Sequence, residues 1–225
     1  MAIPYETLLP QILPMVSGCS DSLIINSIRS AVIELCEYSE VYQLELDPIS
    51  TSSDVYEYDL DTPTGATVHK VLWVTHDGKD LEPITTTLLE QRLPNWRKEN
   101  GVPEYFVKQS PSTFLLAPIP TVFDGNSTIV RAALKPTHTS VACDNDVMND
   151  YRDTIVNGAL FRLLRIPNKD WSDLTGAQVY GNLFNQGVMA AERRARNADT
   201  AVHRSVKYGG LRSGAYKTRR KRYGR

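Results

Sequence analysis

The residues with the clearest chemistry crowd into the end of the chain, from His203 to Arg225. Arg204, Lys207, Arg212, Lys217, Arg219, Arg220, Lys221, Arg222 and Arg225 are cationic, Tyr208, Tyr216 and Tyr223 are set among them, and the stretch holds no acid. Such groups make charge-assisted hydrogen bonds to carboxylates and phosphates. The tyrosines add flat rings that anchor in a protein pocket or stack on bases. Two kinds of partner suit this composition. One is a nucleic-acid backbone, and the other is an acidic groove on another protein, on which the segment folds with its glycines as joints. A solvated, disordered chain end is the plainer reading.

Catalytic chemistry has no comparable concentration. The sequence has no Gly-rich phosphate loop, no GxSxG, no HExxH and no CxxC. His69, His76, His138 and His203 are scattered; His69 falls in a strand and His76 at a turn, which suits surface or edge residues. Asp144-Asn145-Asp146 resembles the start of a calcium loop. Met148 then occupies the third ligand position and the later Gly and Glu are missing, so helix capping fits better. Asp59 and Asp61 flank a turn and read as solvated loop charges, and Asn126-Ser127-Thr128 is a glycosylation sequon without a secretory signal. No catalytic, cofactor or metal residue is therefore assigned.

Charge is divided unevenly. The chain carries 25 Lys+Arg and 26 Asp+Glu, and nine of the cations lie beyond residue 202. The preceding body has 16 cations against 26 acids, a net of −10, and the end segment is +9. An acidic body with a basic arm is an interaction layout, and the body itself would repel DNA. The apolar N-terminal stretch contains Glu6, Pro10 and Pro14 and lacks a basic start, so no signal peptide is expected. No apolar run is long enough to span a membrane. Three widely spaced cysteines, Cys19, Cys36 and Cys143, suit buried thiols in a reducing compartment.

These groups need elements to position them. The longest predicted element is a helix from Asp170 to about Val202, capped by Asp170 or Ser172. Its stripe is Leu174, Ala177, Tyr180, Phe184, Val188, Ala191, Ala195, Ala198 and Val202. At ~30 residues it would be a strut of about 45 Å. A second helix is expected from Asp21 to Tyr38, with Leu23, Ile25, Ile28, Val32 and Leu35 on its inner face and Ile24, Ala31 and Cys36 beside them. A third runs from Asp146 to Arg165. Two prolines limit residues 5–14 to a short helix.

Between residues 41 and 136 the pattern changes to period two. Strands are predicted at 41–46, 54–60, 67–75, 104–109, 113–116 and 127–134, with a hairpin turn at His76-Asp77-Gly78-Lys79 and a short helix over 86–93. The fold class is α+β. A helical bundle is built from residues 1–40 and 141–202, a mainly antiparallel β domain is inserted over 41–140, and a basic extended tail covers 203–225.

Several pieces occur together in order: YETLLPQILPMVSGC, LIINSIRSAVIELCEYSEVYQLELDPI, VPEYFVKQSPSTFLLAPIP, VRAALKPT, DTIVNGALFRLLRIPNKDW and GNLFNQGVMAAERRARN. Over roughly residues 5–200 the chain resembles head-to-tail adaptor (connector) proteins of tailed bacteriophages, in particular the tail tubular A-like adaptors of short-tailed phages. The resemblance implies a non-enzymatic virion protein, made in the host cytoplasm, that assembles as a twelve-fold ring under the portal and extends the DNA channel. It implies that the twelve cationic and tyrosine residues named above bind the portal. It also implies that the β domain meets the next tail or nozzle protein, and that DNA passes without sequence-specific binding. The rival readings are a DNA-binding protein using the basic arm and, further off, a hydrolase of the tail machinery.

Overall fold

The computed structural model describes residues 2–197. The chain opens with strand β1 (Ala2–Pro4) and then a chain of short helical turns, in which α1 (Leu9–Ile12) lies between two 3-10 turns (Tyr5–Leu8 and Leu13–Met15). Pro10 and Pro14 begin turns, where a missing N–H costs nothing, and prevent one continuous helix. The turns still bury Tyr5, Leu8, Ile12 and Val16 completely or nearly so.

Helix α2 (Asp21–Ser39) starts at Ser20, whose carbonyl accepts from Leu23 and Ile24. The Ser20 side chain makes no capping bond. The buried face is Ile24, Ile28, Ala31, Val32, Leu35 and Cys36, with Leu23 and Ile25 only half-buried. The apolar stripe therefore lies about a residue away from the predicted centre. The helix ends at Glu40 in a left-handed conformation, φ 54°.

The segment expected to be one helix after residue 145 is two. α4 (Asn145–Asp150) and α5 (Arg152–Leu164) are separated at Tyr151, φ −114° and ψ 22°. Asp144 caps α4 by accepting from the Asp146 N–H at 3.0 Å, so the calcium-like triplet does act as a helix start. The last helix, α6, spans Leu174–Asn197, 24 residues, or about 36 Å at ~1.5 Å per residue. It begins later than predicted because Asp173 is the cap, accepting from the Thr175 N–H at 3.0 Å. Ala177, Gly181, Phe184 and Ala191 are buried, whereas Leu174 is exposed. The remainder of the predicted stripe, Ala198 and Val202, lies outside the described residues.

α5 and α6 run antiparallel at very short range. A Cβ added at Gly158 would come within 2.7 Å of the Phe184 ring and 2.9 Å of the Ala31 side chain. One added at Gly181 would come within 2.8 Å of Phe161. α2, α5 and α6 thus share one core, which the N-terminal turns extend. Arg162 of α5 bonds Glu34 of α2 and lies over the Phe184 ring of α6, 5.6 Å from its centroid.

The region between the helices holds two larger sheets. Strands β2 (Gln43–Glu45), β3 (Ile49–Thr51), β5 (Ala66–His76), β6 (Lys79–Asp80) and β10 (Asp124–Pro136) form the first, with β10 pairing β2, β3 and β5. The second has the order β4 (Glu57–Asp59), β9 (Thr113–Ala117), β8 (Tyr105–Lys108), β7 (Glu82–Pro83), and its β7–β8 pair is parallel. All other pairings in the two sheets are antiparallel. β3, β6 and β7 are additions to the predicted set. Asp77 and Gly78 both have positive φ, 49° and 72°, as a two-residue hairpin with the right-handed twist requires.

Phe106, Phe114 and Leu116 from the second sheet pack with Val68, Val74, Val130 and Leu134 from the first. Helix α3 (Thr86–Arg92), capped by the Thr85 side chain, lies over a smaller core of Leu89, Trp96, Val107 and Leu115. A two-stranded sheet, β1 with β11 (Ala142–Asp144), joins the chain start to the entry of α4.

Candidate interaction surfaces

The residues singled out in the basic segment, Arg204 to Arg225, lie outside the described residues. What can be placed is the point from which they depart. α6 is parallel to α2, so its end lies where the helices meet the first sheet. There a cleft of about 360 Å³ is lined by Tyr38, Glu40, Lys70, Leu72, Glu192 and Arg196. Arg194 bridges Asp150 at 2.9 Å and lies over the Tyr151 ring, 5.8 Å from its centroid. Arg194 and Arg196 lie in the last turn before the chain leaves the described residues.

A second cleft, about 340 Å³, lies beside this exit and is lined by Tyr42, Leu44, Asp144, Asp146, Asp150 and Tyr151 among others. Burial first, and then the Asp144 carboxylate, push the Tyr42 hydroxyl up to about 12. It stays a neutral hydrogen-bonding group across the physiological range.

Among the histidines, His138 is exposed, as a surface reading requires, His203 lies outside the described residues, and His76 departs from expectation. His76, read as a surface or edge residue, is buried, with Nδ1 2.9 Å from the Thr128 hydroxyl. His76 and Thr128 are direct cross-strand partners, which is why a residue beside a turn ends up inside. His69 is half-buried; burial and then Lys135 hold its pKa below the usual value. Lys108 reaches across from β8 to donate to the Val68 and His69 carbonyls, and its own pKa is lowered chiefly by burial. These contacts join the two sheets. Asp59 and Asp61 are both exposed, but Asp59 ends strand β4 opposite Thr113 and is not a loop residue. Among the described residues no group of three His, Cys, Asp or Glu side chains could hold a metal ion. No helix among them is long and apolar enough to cross a membrane.

All three cysteines are buried free thiols. Cys36 and Cys143 are neighbours between α2 and β11, and the Cys36 pKa stands well above the ordinary thiol value, first because of Cys143 and then because of burial.

Several exposed apolar groups gather in separate places. Val102, Val122 and Phe123 lie at the end of the β region marked by His76 and Asp77. Phe123 is 67% exposed. Val179, Leu183 and Met189 lie along the outer side of α6, and Leu13 and Met15 on the N-terminal turns. The sequence reading did not single these out, although the absence of charge around the last two groups is visible in the sequence.

The chain matches the SU10 adaptor protein family over residues 8–205, nearly its whole length. It belongs to that family. The match runs from the end of the first N-terminal turn through both larger sheets and the described helices, so it covers the architecture rather than one element. An SU10 adaptor is a bacteriophage structural component of the head–tail junction, which accounts for a site made of surfaces rather than of converging catalytic groups. A comparison with curated proteins gives no match.

Proposed function

We propose that this SU10 adaptor assembles as a ring, of twelve copies by analogy with the short-tailed phage adaptors it resembles, beneath the portal. There it joins capsid to tail and forms part of the wall of the DNA channel. The basic arm, Arg204 to Arg225, binds portal carboxylates, and Tyr208, Tyr216 and Tyr223 anchor it. The β domain meets the next tail component. DNA passes along an acidic body that does not hold it.

The observation that carries this reading is the segregation of charge in a chain of this family: −10 over residues 1–202 and +9 beyond them. Reach supports it as well. The 28 residues after Asn197 can extend up to ~90 Å at about 3.3 Å per residue, so an arm leaving the junction of helices and sheet can still cover a distant surface.

A chain ending at Val202 tests the division of labour. The truncated protein is expected to unfold at the same temperature as the full chain and to lose portal attachment. A truncated protein that still binds the portal contradicts the assignment of the arm. The DNA-binding reading predicts instead a gel shift by the full chain that weakens steeply with salt. A shift that persists at about physiological salt, with no portal complex, would replace the adaptor reading.

A further inference from the structure

Two stretches of this chain carry no Asp, Glu, Lys, Arg or His: Thr7 to Ser20, and Leu174 to Ala191. Neither is hidden. On the N-terminal turns Pro10, Gln11, Leu13, Pro14 and Met15 are exposed. On α6 the outer side presents Gln178, Val179, Asn182, Leu183, Gln186 and Met189, all exposed, with Val179 at 55% and Met189 at 56%. The exposed side of a surface helix ordinarily bears charge. Apolar and amide side chains without charge are instead the composition of the centre of a protein interface.

The two surfaces face in opposite directions. Arg152 of α5 donates to the Thr7 carbonyl, so that side of α5 carries the N-terminal turns. Thr154, two residues on, is the side chain a Cβ at Gly187 of α6 would strike, at 2.4 Å. Two residues are about 200° around a helix. α5 therefore separates the N-terminal turns from α6, and each presents its uncharged side away from the shared core. A body with two different surfaces of matching chemistry on opposite sides is what a head-to-tail contact between identical copies requires. A single self-complementary patch would instead give a closed dimer.

We infer that the outer side of α6 in one copy packs against the N-terminal turns of the next, as the repeated contact of an assembly. Leu183 and Met189 meet Leu13 and Met15 across it, and the surrounding amides and prolines exclude water without requiring a buried charge to be paired. The inference rests on the ring reading above and names the surfaces that build it.

The test uses three full-length proteins: wild type, a double variant Leu183→Glu with Met189→Glu, and a double variant Leu13→Glu with Met15→Glu. Each is weighed by native mass spectrometry over a concentration series, first alone and then with the portal. Thermal unfolding checks that each variant is folded. Milder variants, Asn182→Arg and Gln11→Arg, leave the apolar contacts in place and serve if a glutamate pair does not fold. Wild type is expected to form species beyond the dimer in at least one of the series. Each variant alone is expected to raise the midpoint concentration for association at least tenfold. An equal mixture of the two variants, each with one intact surface, is expected to stop at the dimer.

A mixture that remains monomeric overturns the inference, as does one that grows past the dimer, a variant that assembles like wild type, or a wild-type chain that is monomeric throughout both series. Failure of the portal reading is read separately. Wild type that associates in this way without binding the portal removes the proposed function and leaves the paired surfaces standing.

Discussion

α5 meets α6 through glycines, whereas the two larger sheets meet through aromatic and branched side chains. At Gly158 and Gly181 a single added carbon would overlap Phe184 or Phe161, so the helices approach until backbone on one faces ring on the other. Between the sheets Phe106, Phe114, Val74 and Leu134 fill a wider gap. The difference extends to the surface. The helical part carries long uncharged exposed stretches. The first sheet instead has Glu45, Lys70, Asp77, Lys79 and Asp124 on its strands and turns, with exposed apolar groups gathered at one end. The helices thus pack closely and present uncharged outer sides, and the β region presents an apolar tip.

The largest effect is expected from emptying the helix contact. Phe184→Ala removes a ring packed against Gly158 and is expected to cost about 3–5 kcal/mol of unfolding free energy in urea titration, with no comparable loss from Val122→Ala at the exposed tip. A loss below ~1 kcal/mol would mean that the helices do not depend on that contact.

Two glycine substitutions sharpen it. In an ordinary helix Gly→Ala gains up to about 1 kcal/mol. Gly158→Ala should do the opposite, costing ~1–3 kcal/mol, because the methyl group overlaps both Phe184 and Ala31. Gly78→Ala meets open space and pays only for its φ of 72°, about 1 kcal/mol. A stabilising effect of Gly158→Ala, as in an ordinary helix, would contradict the close approach of α5 to α6.

A smaller effect is expected at the link from α5 to α2. Arg162→Met leaves the half-exposed Glu34 without its guanidinium partner and should cost about 1–2 kcal/mol, less at high salt. The smallest concerns His69. Burial and Lys135 favour its neutral form in the folded chain, with Lys108 acting in the same sense and Glu37 and Glu40 opposing. The unfolded chain takes up the proton first, near pH ~6.5, so this contribution is complete above that pH and is lost as pH falls below it. His69→Gln should flatten the fall in melting temperature just below pH 6.5; an unchanged slope would remove His69 as its source.

Much of this architecture is legible in the sequence, for reasons that can be named. α2 and α5 have long apolar stripes, and the hairpin at Asp77-Gly78 has the turn chemistry that positive φ demands. Short strands such as β3 and β7 were not, because three residues or fewer carry no period and exist only through the strand beside them. The break at Tyr151 has no Pro or Gly to announce it. The burial of His76 depends on its partner Thr128, 52 residues away. At the surfaces the sequence marks a cationic segment by composition alone, and the opposition of the two uncharged sides emerges only when α5 stands between them.

We propose that this adaptor attaches to the portal through its basic arm. The most direct measurement is the mass of the complex formed with the portal of the same virus, by the full chain and by a chain ending at Val202. A full-length complex with one adaptor copy per portal subunit is expected, and none with the shorter chain. A full-length protein that forms no complex, or a shorter chain that forms the same one, would contradict it.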